Sequence, residues 1–390
     1  MNAGEKIHRL CERVRERCAS AENARRMSYW DESEKAEAYD SWRFIPLSNT
    51  ERGIPFVIEL EPTCLAKING YDLDRYYNDP ECYAENYLNN MLYKFDTFQD
   101  CTPIAKRIVL CLGAAYEKSI LLNSGKTNDW ADSGFALKEK SDIDMLRPVD
   151  FRQSAIMERI HGFYERVCGL VDGDFEVLFP SWARGPWGIA WMLRDPEELL
   201  IDLIEDPQWV SELLGRLLDI KTDWERQKAE YFQTPAVLGN IYNDEVTSPM
   251  LSPGHYERLI WPLEARLSEL HGGIKYWHSC GDTTAFQPAV DKLPNVRMVH
   301  VSPWTDYRAA AENYTKGSKA LEVALYGYDR IVRDQPQEQQ AKILTDIQEA
   351  TAGHRVQVRA AGIDVVGPAE RGIANVVQWA GLARTILLGL

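Results

Sequence analysis

The feature that most constrains this chain is a recurrence. Eight short runs of β-branched and aromatic residues, Phe56–Glu61, Arg107–Gly113, Phe175–Pro180, Val237–Asn243, Ile274–His278, Val296–Ser302, Ala320–Tyr326 and Arg355–Ala360, punctuate it. Most are followed by turn residues and then by apolar residues at helical spacing. Strands that alternate with helices build a parallel sheet, and eight alternations predict an α/β fold of the closed (β/α)8 TIM-barrel type. The first 50 residues, rich in Glu, Arg and Ala, read as an N-terminal helical extension (1–50) ahead of a barrel over 51–390. At 390 residues the chain has room for this as one large unit plus an added segment.

The helix starts support the alternation. Asp195-Pro-Glu-Glu sets an N-cap, a proline in the first turn and two acids ahead of Leu199–Ile204. Asp206-Pro-Gln-Trp opens a second helix with Val210, Leu213, Leu214, Leu217 and Leu218 on one face, and Ser252-Pro-Gly-His-Tyr-Glu opens a third in the same way.

A barrel carries its active site at the C-terminal ends of its strands, so the residues closing the eight runs are the candidates. They form a polar, aromatic and ionisable set that contrasts with the aliphatic run interiors. Trp277-His-Ser-Cys-Gly-Asp282 closes the fifth run. In an extended strand His278 and Cys280 point to the same side, where imidazole and thiolate can converge on one metal ion, and zinc suits that donor pair. The alternative for so short a motif is a packed core pair. Gly281 would then turn the chain sharply away. Tyr242-Asn-Asp-Glu245 closes the fourth run, and Asp244 or Glu245 can serve as general acid or base, complete a metal site, or simply cap the next helix. With Tyr242 and Arg184, which follows the third run, they form the candidate catalytic set. An arginine there suits an anionic substrate group, or a surface ion pair.

The candidate substrate-binding set is Glu59, Glu61, Trp182, His300, Trp304, Asp306, Tyr326 and Arg359. Trp304 offers a flat wall, while Asp306 can fix a donor, orient His278 or cap a helix. A strand arginine facing the barrel, as Arg359 would, must meet a carboxylate from the protein or from the substrate.

Composition narrows the function. With 44 Lys+Arg against 59 Asp+Glu the net charge is −15, spread along the chain, which excludes a basic nucleic-acid footprint. No apolar stretch approaches the roughly 18 residues of a membrane span and no signal-peptide core opens the chain, so a cytoplasmic protein without membrane contact is expected. The eight cysteines show no repeated short spacing and read mostly as reduced, buried thiols. Motifs for nucleotide binding, serine hydrolysis and the HExxH zinc helix are all absent.

Several stretches together resemble the uroporphyrinogen decarboxylase superfamily, especially its branch of cobalamin-linked (corrinoid) methyltransferases. They are Tyr76-Tyr-Asn-Asp-Pro-Glu81, Gly185-Pro-Trp187, Leu193-Arg-Asp-Pro-Glu197, Ile204-Glu-Asp-Pro207, Asn243-Asp-Glu245, Met250-Leu-Ser-Pro-Gly-His-Tyr-Glu257 with Trp261-Pro262, His278-Ser-Cys-Gly281 and Val301-Ser-Pro-Trp-Thr-Asp306. They stand in the family's order across roughly residues 55 to 385. The resemblance implies a (β/α)8 barrel without a tightly bound organic cofactor. It also implies a zinc held by a His-x-Cys pair and a later cysteine, which activates a thiol that takes a methyl group from a corrinoid protein. His278 and Cys280 match the pair, but no cysteine follows Cys280. The third ligand must therefore be another residue, with Glu322, Asp244 and His300 the candidates by barrel position. The arginine-rich N-terminal motif by which porphyrinogen decarboxylases hold acetate groups is not recognisable, and Arg25-Arg-Met-Ser-Tyr-Trp30 is a poor substitute.

The expectation is a zinc-assisted methyltransferase or demethylase acting on a small molecule, with a corrinoid protein as a partner and a homodimer as the default assembly. One alternative is a carboxy-lyase in which Arg184 or Arg359 holds a small acid and Asp244 protonates the product carbon. Another is a non-catalytic protein that binds a small ligand or corrinoid.

Overall fold

A computed structural model of the chain describes residues 2–31, 44–47, 52–113, 116–123, 134–234, 239–327, 331–333, 335–364 and 369–390. Each of the eight runs contains a strand: β1 Phe56–Leu60, β2 Arg107–Val109, β3 Glu176–Leu178, β4 Gly239–Tyr242, β5 Ile274–His278, β6 Val296–Val301, β7 Ala320–Tyr326 and β8 Arg355–Ile363. Residues 237 and 238 of the fourth run, and 1, 32–43 and 48–50 of the N-terminal extension, lie outside the described residues. Every strand pair is parallel, as helices between consecutive strands require.

The hydrogen-bonded ladder is less continuous than a closed barrel implies. Six strands form one sheet in the order β1-β8-β7-β6-β5-β4, and β2 pairs with β3 in a second, two-stranded sheet. The first strand lies beside the last, which curls the six-stranded sheet. Beyond β3 the chain continues to Ala183 and Arg184, and a parallel bridge between Arg184 and Tyr242 connects it to β4. β2 and β3 are only three residues each.

The cap signals work as the sequence predicts. Asp195 accepts from the amides of Glu197 and Glu198 at the start of Pro196–Glu205, and Asp206 from the amide of Trp209 at the start of Pro207–Phe232. Val210, Leu213, Leu214, Leu217 and Leu218 are buried on one face. After Ser252, the helical turn Pro253–His255 runs through a π-helical stretch, Tyr256–Ile260, into Trp261–His271. Pro262 lacks an amide hydrogen, so the ordinary ladder is interrupted where the wider turn sits.

The described part of the extension is helical at Ala3–Cys18 and Ala21–Met27, and its Ile7, Leu10, Cys11 and Val14 belong to the main core. A later piece closes the floor of the curled sheet: Ile45 is fully buried among Ala183, Tyr242, Tyr276, Met298 and Ala320. Arg26 is also buried, donating to the carbonyls of Phe95 and Phe98 and paired with Asp100, which ties it to a helix end rather than to a substrate. Of the eight cysteines, Cys11, Cys64, Cys82 and Cys101 are buried, whereas Cys168 and Cys280 are exposed; all eight are free thiols.

Candidate metal centre

β5 alternates its side chains so that Tyr276 and His278 share the inner face, while Trp277 turns out to a buried helix glutamate, Glu264. The turn after β5 is held from both sides. The His278 carbonyl accepts from the Asn243 amide at 2.9 Å, and the Gly281 carbonyl accepts from the hydroxyls of Ser302 at 2.6 Å and Thr305 at 3.1 Å. Gly281 lies in a bend, and it allows close approach as well: a Cβ there would fall 2.0 Å from Thr247 Oγ1.

This clamp brings three donors together. His278 Nε2 lies 3.1 Å from Cys280 Sγ and 3.1 Å from Asp244 Oδ1, and the three ligand atoms all lie within 4.8 Å of one another. Since β4 and β5 pair Tyr242 with His278, Asp244 and Cys280 each lie two residues beyond matched positions and reach the same height. Asp244 Oδ1 is buried with no hydrogen-bond donor among the described residues, while Arg184 stands 3.5 Å from Asp244 Oδ2. Although Cys280 opens onto the cavity, the protein packed around its sulfur and the Asp244 carboxylate push the thiol well above its ordinary value. A divalent cation between these groups would reverse that balance and favour the thiolate.

Below the donors runs a buried hydrogen-bond network. The Tyr276 hydroxyl donates to Glu322 Oε1 and lies 3.0 Å from His278 Nδ1 and 3.0 Å from His300 Nδ1. Glu322 also accepts from His300 Nδ1 at 2.9 Å and Gln357 Nε2 at 2.5 Å, and it is ion-paired with Arg359, whose Nε lies 2.8 Å from Oε2. With the hydroxyl proton directed at Glu322, the tyrosyl oxygen accepts from His278 Nδ1–H. This network assigns His278 the tautomer whose Nε2 lone pair faces Cys280 and Asp244.

Above the donors opens a cavity of about 420 Å³ at the C-terminal ends of the strands. Of the residues singled out from the sequence, Glu59, Glu61, Arg184, Tyr242, Asp244, His278, Cys280, His300, Trp304 and Tyr326 line it. Five others are not in its wall. Glu322, one of the three candidates for a third metal ligand, is fully buried in the network below, where a guanidinium and an amide already hold it; of the three it is Asp244 that joins the His-Cys pair. Arg359 is buried there too, between Glu322 and Glu59. Trp182 packs against Trp224 with ring centroids 5.8 Å apart. Asp306 takes its capping alternative, accepting from the amides of Arg308 and Ala309. Glu245 pairs with Arg184 at 3.2 Å, and burial pushes its carboxyl up to about 7, with Arg184 opposing and Asp244 adding to the rise. Tyr276 is the functional residue that sequence reasoning missed, although its position two before His278 in one strand already places it on the same face.

No protein-family model matches the sequence, and no curated protein does. Among solved structures the chain is similar to a methyltransferase from Methanosarcina mazei, with a TM-score of 0.55 at 11% identity, over 85% of this chain and 94% of that one. At that identity the likeness shows a shared fold.

Proposed function

We propose that the chain is a zinc-dependent enzyme of methyl transfer or demethylation, built as a (β/α)8 barrel in the manner of the uroporphyrinogen decarboxylase superfamily. The observation that carries this reading is the convergence of Asp244, His278 and Cys280 beneath an open cavity at the C-terminal ends of the strands. Imidazole, thiolate and carboxylate are the three zinc donor types, and three protein ligands leave a position for an acceptor. The orphaned Asp244 Oδ1 and the lone pair held on His278 Nε2 support the fit.

Bound there, zinc would supply the Lewis acidity that makes a thiol or similar acceptor a nucleophile at neutral pH. The chain's own residues do the rest. Tyr276 and Glu322 hold His278 in its ligating tautomer, and Arg184 stands 3.5 Å from the Asp244 carboxylate. Cavity-wall side chains orient the methyl donor, whether a small molecule or a corrinoid presented by a partner protein. The fold shared with a protein named as a methyltransferase supports the coarse activity.

A carboxy-lyase would need Arg184 or Arg359 for the substrate acid. Both already face carboxylates, Arg184 those of Asp244 and Glu245 and Arg359 those of Glu322 and Glu59, so this reading has less support. The test is metal content with single-turnover methyl transfer from a methylated corrinoid to a small thiol. The expected result is about one zinc per chain, with metal and transfer both lost in Cys280→Ala. Metal-free protein that turns over a carboxylic acid would refute it.

A further inference from the structure

Part of the cavity wall combines aromatic rings with acid. Trp304 and Tyr326 are among the few large apolar side chains left exposed, 64% and 38%, and their ring centroids lie 6.0 Å apart at the mouth. Beside them stands Glu61. It occupies the N-cap position of the helix Pro62–Asn69 but makes no capping hydrogen bond with its side chain, and no described cation pairs with it. Gly362, at φ +63°, closes the gap: its missing Cβ would sit 3.3 Å from the Tyr326 ring and 3.8 Å from Glu61 Oε1. One wall therefore presents two aromatic rings and a carboxylate with no cation beside it among the described residues.

The charge around the cavity points the same way. Among the described residues that line it, Glu59, Glu61 and Asp244 are three carboxylates against the one guanidinium of Arg184. A divalent cation on Asp244 and a Cys280 thiolate would neutralise only its own ligands, and leaves Glu61 as it was. Burial and the charges of Glu59 and Asp364 push the Glu61 carboxyl up to about 7, as expected of an acid whose counter-charge has yet to arrive.

We propose that this wall binds a cationic small molecule of the methylated-ammonium class, with its charge between Glu61 and the Trp304–Tyr326 pair. The substrate class rests on the methyl-transfer reading of the cavity, but the binding does not require it. Ring faces attract an alkylated ammonium through their quadrupole, and a carboxylate adds a charge that a neutral ligand of the same shape does not feel.

The probes are choline and its neutral isostere 3,3-dimethylbutan-1-ol, titrated into the full chain with and without added zinc and followed by calorimetry and tryptophan fluorescence. Choline should bind about tenfold or more tightly than the isostere. Glu61→Gln should weaken choline about tenfold and leave the isostere unchanged, and Trp304→Ala should weaken choline and abolish its fluorescence response. Circular dichroism and melting temperature confirm that each variant is folded. Equal binding of the two probes, no choline binding up to millimolar concentration, or unchanged choline affinity in folded Glu61→Gln would overturn the proposal. Zinc content, measured on the same samples, reports separately on the metal centre, so loss of one reading is distinguishable from loss of the other.

Discussion

Tyr276→Phe removes one oxygen and almost no volume, yet that oxygen joins Glu322 to both histidines. Glu322, with no solvent exposure, keeps two of its three hydrogen-bond donors and its ion pair with Arg359, so the metal-free fold loses that buried hydrogen bond and the one from His278, about 1–3 kcal/mol each. The larger consequence falls on the metal. Without the tyrosyl oxygen, His278 Nδ1–H has lost its acceptor, the Nε2 tautomer is no longer enforced, and zinc affinity should fall about 10- to 100-fold, or about 1.4–2.8 kcal/mol. Competition against a chromogenic chelator measures the affinity, and thermal unfolding of metal-free protein measures the fold independently. A Tyr276→Phe variant that binds zinc as tightly as the parent would refute the reasoning, whatever happened to its stability.

Glu264, fully buried, accepts from Tyr256, Trp277 and Asn243; burial still outweighs those bonds and pushes its carboxyl from 4.5 up to about 7. The protonated form is therefore the one the fold prefers. Its contribution, about 3 kcal/mol, is complete below about pH 4.5 and is lost as pH rises through about 7. Denaturant unfolding between pH 5 and 8 should show that decline in the parent and a flatter profile in Glu264→Gln; equal slopes would count against it. Gly281→Ala drives a methyl into Thr247 and should destabilise the chain by about 1–3 kcal/mol, with part recovered in Gly281→Ala/Thr247→Gly if the clash is local. Arg359→Met strips the guanidinium from buried Glu322 and should cost about 3–5 kcal/mol by chemical denaturation. A cost below 1 kcal/mol would mean that the ion pair is not what holds Glu322 in place.

The strands were legible because alternating apolar runs and proline-led helix starts are local signals. All eight runs contain strands, and Asp195, Asp206 and Ser252 cap the helices they were expected to cap. Pairing is not local, so the break between the six-stranded and two-stranded sheets could not be seen in runs of similar composition. The convergence of His278 with Cys280 was legible from their two-residue spacing. The choice between Asp244 and Glu322 was not, because it turns on competition. Arg359 and Gln357, distant in sequence, claim Glu322, whereas Asp244 Oδ1 is left facing the imidazole. Asp306 and Trp182 show the same limit in the other direction. Each has a respectable structural use, a helix cap and an aromatic packing partner, that position at a strand end cannot distinguish from a ligand contact.

The coordination of zinc-loaded protein, read by X-ray absorption at the zinc edge, tests the central claim most directly. One sulfur near 2.3 Å with nitrogen and oxygen neighbours near 2.0–2.2 Å is the predicted shell, with the sulfur lost in Cys280→Ser. A shell without sulfur in the parent protein, or one that Cys280→Ser leaves unchanged, would contradict it.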